Sequence, residues 1–172
     1  MAPGLRKFAL TTHVTSSVGW LGAVATFLAL AVAGLTSHDA LTMRAAYLSM
    51  ELTGRFVIVP LCLASLLTGL VQALGTPWGL FRHYWVLIKL VMTLLATIVL
   101  LVHMRPIRLM AVVAAETTLS AGDFGRLRVQ LAADAAAALL VLLVATTLSV
   151  YKPRGVTRYG RRRSEGRTIV PP

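Results

Sequence analysis

Four apolar runs, separated by short polar or basic stretches, set the pattern of the chain. The cleanest covers residues 84–104, YWVLIKLVMTLLATIVLLVHM, with Lys89 as its only interior charge. Tyr84 and Trp85 stand at one end, where amphipathic rings favour a headgroup layer, and His103 and Arg105 close the other. About 20 apolar residues in a helix match the hydrocarbon thickness of a bilayer. A second run, 56–74, has Pro60 near its start, Thr68-Gly69 as a point of close contact and Gln72 near its exit. The last, 131–150, holds Asp134 one turn inside and follows Asp123, a suitable N-cap.

The first run, 8–35, has two readings. Arg6-Lys7, an apolar stretch and Ala31-Val32-Ala33 before Gly34 resemble a cleavable signal peptide. The length of the run, and His13, Thr15, Ser16, Ser17 and Trp20 in its first half, favour a retained anchor. The pattern therefore predicts an all-α, polytopic four-helix transmembrane bundle over residues 1–151, with spans of about 8–35, 56–74, 84–104 and 131–150. Residues 36–50 are expected to form a loop that turns helical near its end. Residues 75–79 are expected as a turn with Trp78, and Arg105-Pro106 as a turn before a short interfacial helix over 107–119. Residues 152–172, with Arg161-Arg162-Arg163, read as a basic disordered tail.

Helical spacing sorts residues onto faces. Thr15, Gly19, Gly22 and Thr26 form a small-residue stripe expected to pack closely on another helix. His13 and Trp20 share a different face. Glu51 and Arg55 are placed to pair. Lys89 and His103 lie on one face at opposite depths.

Composition narrows the partners. The chain is 57% hydrophobic with a mean hydropathy of +0.77, beyond an ordinary soluble domain. Its net charge of +11 would suggest nucleic acid in a soluble protein. Here the basic residues flank apolar runs, so no nucleic acid is expected and the partner is a lipid bilayer, with anionic lipid at the basic tail. The side holding both ends and the 75–83 turn carries more Lys and Arg than the other, which predicts both termini in the cytoplasm of a multi-pass plasma-membrane protein. A homo- or hetero-oligomer is compatible with such a bundle. A single cysteine, Cys62, excludes an internal disulfide and reads as a packing residue. No P-loop, GxSxG or HExxH pattern is present.

The chemistry left open lies with the polar residues inside the runs. His13 and Lys89 are each a few residues into parallel spans, so they sit at matching depth. If the first and third spans are neighbours, both face one polar pocket open to the cytoplasm, with Trp20, Trp85 and Gln72 around it. The plainer alternative has Lys89 snorkelling to headgroups and His13 bonded within its own helix. His103 comes level with Asp134 and Glu51, either as one member of a His–carboxylate pair or as an ordinary interfacial histidine. Cys62, Met92, Met104 and Met110 show no metal-ligand spacing.

The motifs His13…Trp20-Leu21-Gly22, Thr68-Gly69 and Trp85…Lys89-Leu90 resemble a bacterial family of integral membrane proteins with a domain of unknown function, over roughly residues 8–150. TPWGLFRHYWVLIKL, AETTLS and LSVYKP are most similar to its actinobacterial members. More distantly, the layout resembles the copper-resistance protein D family and the membrane protoporphyrinogen oxidase family. The latter resemblance implies functional roles for His13 and Lys89 and a bound haem b, with His13 as the iron ligand. Two classes of function follow. One is a haem or quinone redox site between the first and third spans. The other is a non-catalytic membrane scaffold, assembly partner or small transporter subunit, copper-related transport included. The residues alone do not say whether the protein is an enzyme.

Overall fold

A computed structural model describes residues 2–75, 83–116, 124–151, 155 and 157. The helices are α1 (Pro3–Thr36), α2 (Ala40–Thr53), α3 (Val59–Gly75), α4 (Tyr84–Glu116) and α5 (Gly125–Tyr151), with one turn of π-helix, Gly54–Ile58, joining α2 to α3. They form an all-α four-helix bundle in which α2, the π turn and α3 make one long rod. Each of the four rods is long and apolar enough to cross a membrane.

The rods pack as a square of antiparallel neighbours. α1 contacts α2, α3 and α5, and α4 contacts the same three, so α1 and α4 lie on a diagonal. Both ends of the bundle carry pairs that fix this direction. Gln72 donates to the Ala9 carbonyl at one end, and the Arg128 side chain meets the Gly34 carbonyl at the other. Beyond α5, the Gly155 carbonyl accepts from the Tyr84 amide at the start of α4.

The structure corrects two expectations about loops. Residues 40–53 are helical throughout. Asp39 caps α2, accepting from the Thr42 amide at 2.8 Å and the Thr42 hydroxyl at 2.6 Å, and the helix buries Met43, Ala46, Tyr47 and Met50 at helical spacing. Arg105-Pro106 does not end its helix: α4 runs on to Glu116 with Pro106 inside it. The missing Pro N–H leaves the Val102 carbonyl without its usual partner, a loss that a packed helix tolerates. In the second rod the π turn sits just ahead of Pro60, where a proline ring crowds the preceding turn. The turn after Gly75, Asp123, residues 117–119 and nearly all of the tail 152–172 fall outside the described residues.

At 1.5 Å per residue, rods of 27 to 36 residues reach about 40–54 Å, past a hydrocarbon core of about 30 Å. The two ends differ in packing. Around α2, the end of α4 and the start of α5, large side chains are fully enclosed: Met43, Tyr47, Met50, Met110 and Leu131. In the other half, Leu and Val are exposed around the circumference, among them Val14, Val18, Leu67, Val91 and Val150. Leu41, Leu52, Phe56 and Leu109 are exposed at the enclosed end as well, so the interiors of the two halves differ while the circumference is apolar along both.

The small-residue stripe is corrected as well. Gly19 meets Leu61 of α3, but Thr15, Gly22 and Thr26 are exposed. The buried face of α1 is the adjacent one, Ser16, Trp20, Val24, Phe27 and Ala31.

Candidate functional site

His13 reaches across to α3. Its Nδ1 lies 3.0 Å from the Ser65 carbonyl and 3.1 Å from the Thr68 hydroxyl. A carbonyl oxygen can only accept, so Nδ1 carries the proton, and in the neutral ring Nε2 is the free base. Thr68 is itself oriented by donating to the Ala64 carbonyl at 2.6 Å. A hydroxyl pair, Ser17 and Ser65 at 2.7 Å, ties α1 to α3 one turn deeper. The ring lies flat enough on α3 that a Cβ at Gly69 would sit 3.0 Å from His13 Cε1. The absent side chain at Gly69 makes room for it.

Lys89 turns inward. Its ammonium donates to Ser149 Oγ on α5 at 2.7 Å, and Ser149 donates in turn to the Ala145 carbonyl. The remaining N–H groups of Lys89 have no partner among the described residues. Thr93, one turn on, donates back to the Lys89 carbonyl.

Both side chains line one cavity of about 420 Å³. Its walls are otherwise mainly Leu, Val and Ala, with Trp85, Gln72 and Arg6 also on the lining. Among the described residues no Asp or Glu lines it, so its charge is positive. That volume lies within the range of small-molecule sites. The shared pocket of His13, Lys89, Trp85 and Gln72 is thus assembled although α1 and α4 are diagonal, because Ser65 of α3 and Ser149 of α5 draw the two side chains inward.

Trp20 is the exception. It is buried in the core and lines a different, apolar cavity, so it does not join His13 and Lys89. The reason is angular: Trp20 follows the buried seam Ser16–Val24–Phe27, which faces the bundle axis deeper in. Sequence reasoning also missed Ser65, Thr93 and Ser149, whose only signal was a hydroxyl in an apolar run.

It missed Arg128 too. This residue of α5 is almost fully enclosed, and its guanidinium donates to Tyr47 Oη at 2.9 Å, to the Leu35 carbonyl at 3.3 Å and to the Gly34 carbonyl. It supplies a cation to the carbonyl end of α1, which has no basic residue in its own last turn. Elsewhere, the Glu51–Arg55 pair forms at 3.9 Å, His103 meets Asp134 at 2.9 Å, and Cys62 is buried against the Thr97 hydroxyl.

Among the described residues no cluster of three or more His, Cys, Asp or Glu is placed to hold a metal ion. A haem finds one nitrogen for iron, His13 Nε2, and two cations for its propionates, Lys89 and Arg6. No second His, and no Met, Cys or Tyr, is among the described lining residues. The residues present therefore fit a haem held by a single protein ligand. Set against family models, curated proteins and solved structures, the chain matches none.

Proposed function

We propose that this chain is a multi-pass plasma-membrane protein, with both termini cytoplasmic, whose His13–Lys89 cavity binds a lipid-soluble redox cofactor of the quinone class. The observation that carries this reading is the pairing, in one cavity with apolar walls and no described carboxylate, of a base and a hydrogen-bond donor. His13 Nε2 is a base because Nδ1–H is committed to the Ser65 carbonyl. Among the described residues the Lys89 ammonium keeps donors to spare beyond Ser149. A quinone supplies reversible two-electron, two-proton chemistry when bound. Lys89 holds a carbonyl oxygen, His13 holds or releases a proton at Nε2, and Leu10, Val14, Leu66 and Leu90 exclude water. The same two residues would hold haem b through iron and a propionate, but a quinone asks only for the donor and the base.

Four rods of spanning length and apolarity support the membrane placement, and the Lys/Arg bias supports its orientation. An alkaline phosphatase fused after Pro172 should be inactive, and an active periplasmic fusion would overturn the orientation. For the site, the protein is purified in mild detergent, its bound small molecules are identified by mass spectrometry, and its absorption is read for a Soret band. Decylubiquinone binding is followed through tryptophan emission. His13→Ala and Lys89→Met should each weaken it about tenfold, the scale of one lost charge-assisted hydrogen bond. Gly69→Ala should weaken it by displacing the ring. Absence of any co-purifying cofactor, together with undetectable decylubiquinone binding, would leave the scaffold or assembly-partner reading in its place.

A further inference from the structure

The His13–Lys89 cavity is lined by two cations and, among the described residues, by no acid. Lys89 reaches inward to Ser149 Oγ, which is a neutral hydroxyl. Arg6 of α1 is the other cation on the lining, and no described residue pairs with its guanidinium. A charge set among apolar side chains is costly unless it is paired, and a hydroxyl dipole offsets a full charge poorly.

The polar groups are spread along the cavity in a definite order. Arg6 and His13 stand seven residues apart on α1, two turns on one face and about 10 Å along the axis. Arg6, Leu10 and Val14 recur every four residues, line the cavity and are exposed, so the cavity is open along this edge. His13 and Lys89 therefore lie inside, and Arg6 stands at the mouth, at the end of the bundle where α1 begins. A ligand that matches this order has a hydrogen-bonding ring at one end, an apolar middle and an anion at the other. The Arg fork takes a carboxylate through two parallel N–H···O bonds. A volume of about 420 Å³ suits a ring with a short chain.

We infer that the ligand of this cavity is an acidic quinone, its ring at Lys89 and His13 and its side-chain carboxylate paired with Arg6. The inference rests on the quinone reading above and adds to it the charge and the reach of the ligand.

The test uses the full chain in dodecylmaltoside at about pH 8, where a carboxylic acid is ionised. The probes are decylubiquinone with a terminal carboxylate, the same quinone with a terminal hydroxyl, and decanoic acid, read by tryptophan emission and thermal stabilisation. The quinone acid should bind about tenfold more tightly than the quinone alcohol, the scale of one charge-assisted contact. Arg6→Gln should bring the acid down to the alcohol's affinity and leave the alcohol unchanged. Lys7→Gln removes a neighbouring cation that does not line the cavity, and should keep the parent ratio. Both residues are exposed near the start of α1, so neither variant threatens the fold. Equal binding of acid and alcohol to the parent overturns the inference and leaves the quinone reading standing. A preference for the acid that survives Arg6→Gln, or that Lys7→Gln removes as well, also overturns it. Binding of neither quinone overturns both readings together. Decanoic acid bound as tightly as the quinone acid would retain an anion site and overturn the quinone.

Discussion

Replacing Arg128 with Met tests whether the enclosed guanidinium holds the α2 end of the bundle together. Met keeps the apolar stem and removes the donors. The Tyr47 hydroxyl and the Gly34 and Leu35 carbonyls then lose their charged donor in a region sealed from solvent. A hydrogen bond to a charged group is worth about 1.5–3 kcal/mol and a buried polar atom left unpaired costs about 1–3 kcal/mol. These terms overlap, so the expected loss is about 3–5 kcal/mol rather than their sum. Arg128→Lys should fall between parent and Met, because an ammonium keeps the charge but not the planar fork. Tyr47→Phe alone should cost about 1 kcal/mol, and the Tyr47→Phe/Arg128→Met double variant should cost less than the two singles together by about 0.5–3 kcal/mol. The assay is equilibrium unfolding in mixed dodecylmaltoside–SDS micelles followed by circular dichroism. An Arg128→Met protein within about 0.5 kcal/mol of the parent, the range of ordinary surface substitutions, would refute the reasoning.

Two further outcomes are expected. Gly34→Ala should destabilise by about 1–3 kcal/mol, because its Cβ would lie 2.9 Å from Cζ of the enclosed Tyr47; Gly22→Ala, with open space around it, should be neutral or stabilising by up to about 1 kcal/mol in the same unfolding assay. Asp39 titrates below the ordinary carboxylate range because the Thr42 hydroxyl and amide hydrogen-bond its ionised form, so its contribution is present at neutral pH and is lost as pH falls through that lowered value; the stability gap between parent and Asp39→Ala should therefore narrow on acidification, and a gap that widens would contradict the capping.

The four long apolar rods were legible because length and apolarity, all that a bilayer would demand of a helix, are written directly in the residues. What the sequence concealed was helix continued past the apolar stretch. Ser37-His38-Asp39 reads as the beginning of a loop, and α2 behind it is mixed in polarity, yet Met43, Tyr47 and Met50 already carried a helical period. Arg105-Pro106 looked like an end because a proline removes a local hydrogen bond, while the packing of Ile107 and Met110 that outweighs it is non-local. The His13–Lys89 meeting was inferred from depth alone and rests in fact on Ser65 and Ser149. Trp20 and the glycine–threonine stripe failed on the same ground. Spacing says which residues share a face, and only the neighbours say which face is inward.

The π turn between α2 and α3 has a consequence for how the second rod tolerates change in length. A turn closed from the Val59 amide to the Gly54 carbonyl accommodates one residue more than an α-helical turn. The rod is therefore written in two reading frames of the helical repeat, offset by one position at Gly54–Ile58. Deleting exposed Arg55 or Val57 would let that turn relax to an α-helix and leave Ser65 and Thr68 still addressed to His13. The same deletion placed beyond Pro60 would swing the remainder of α3 by about 100° and carry those partners away from the cavity. The spare residue makes this short stretch the place along the rod where the protein can lose a residue without losing phase.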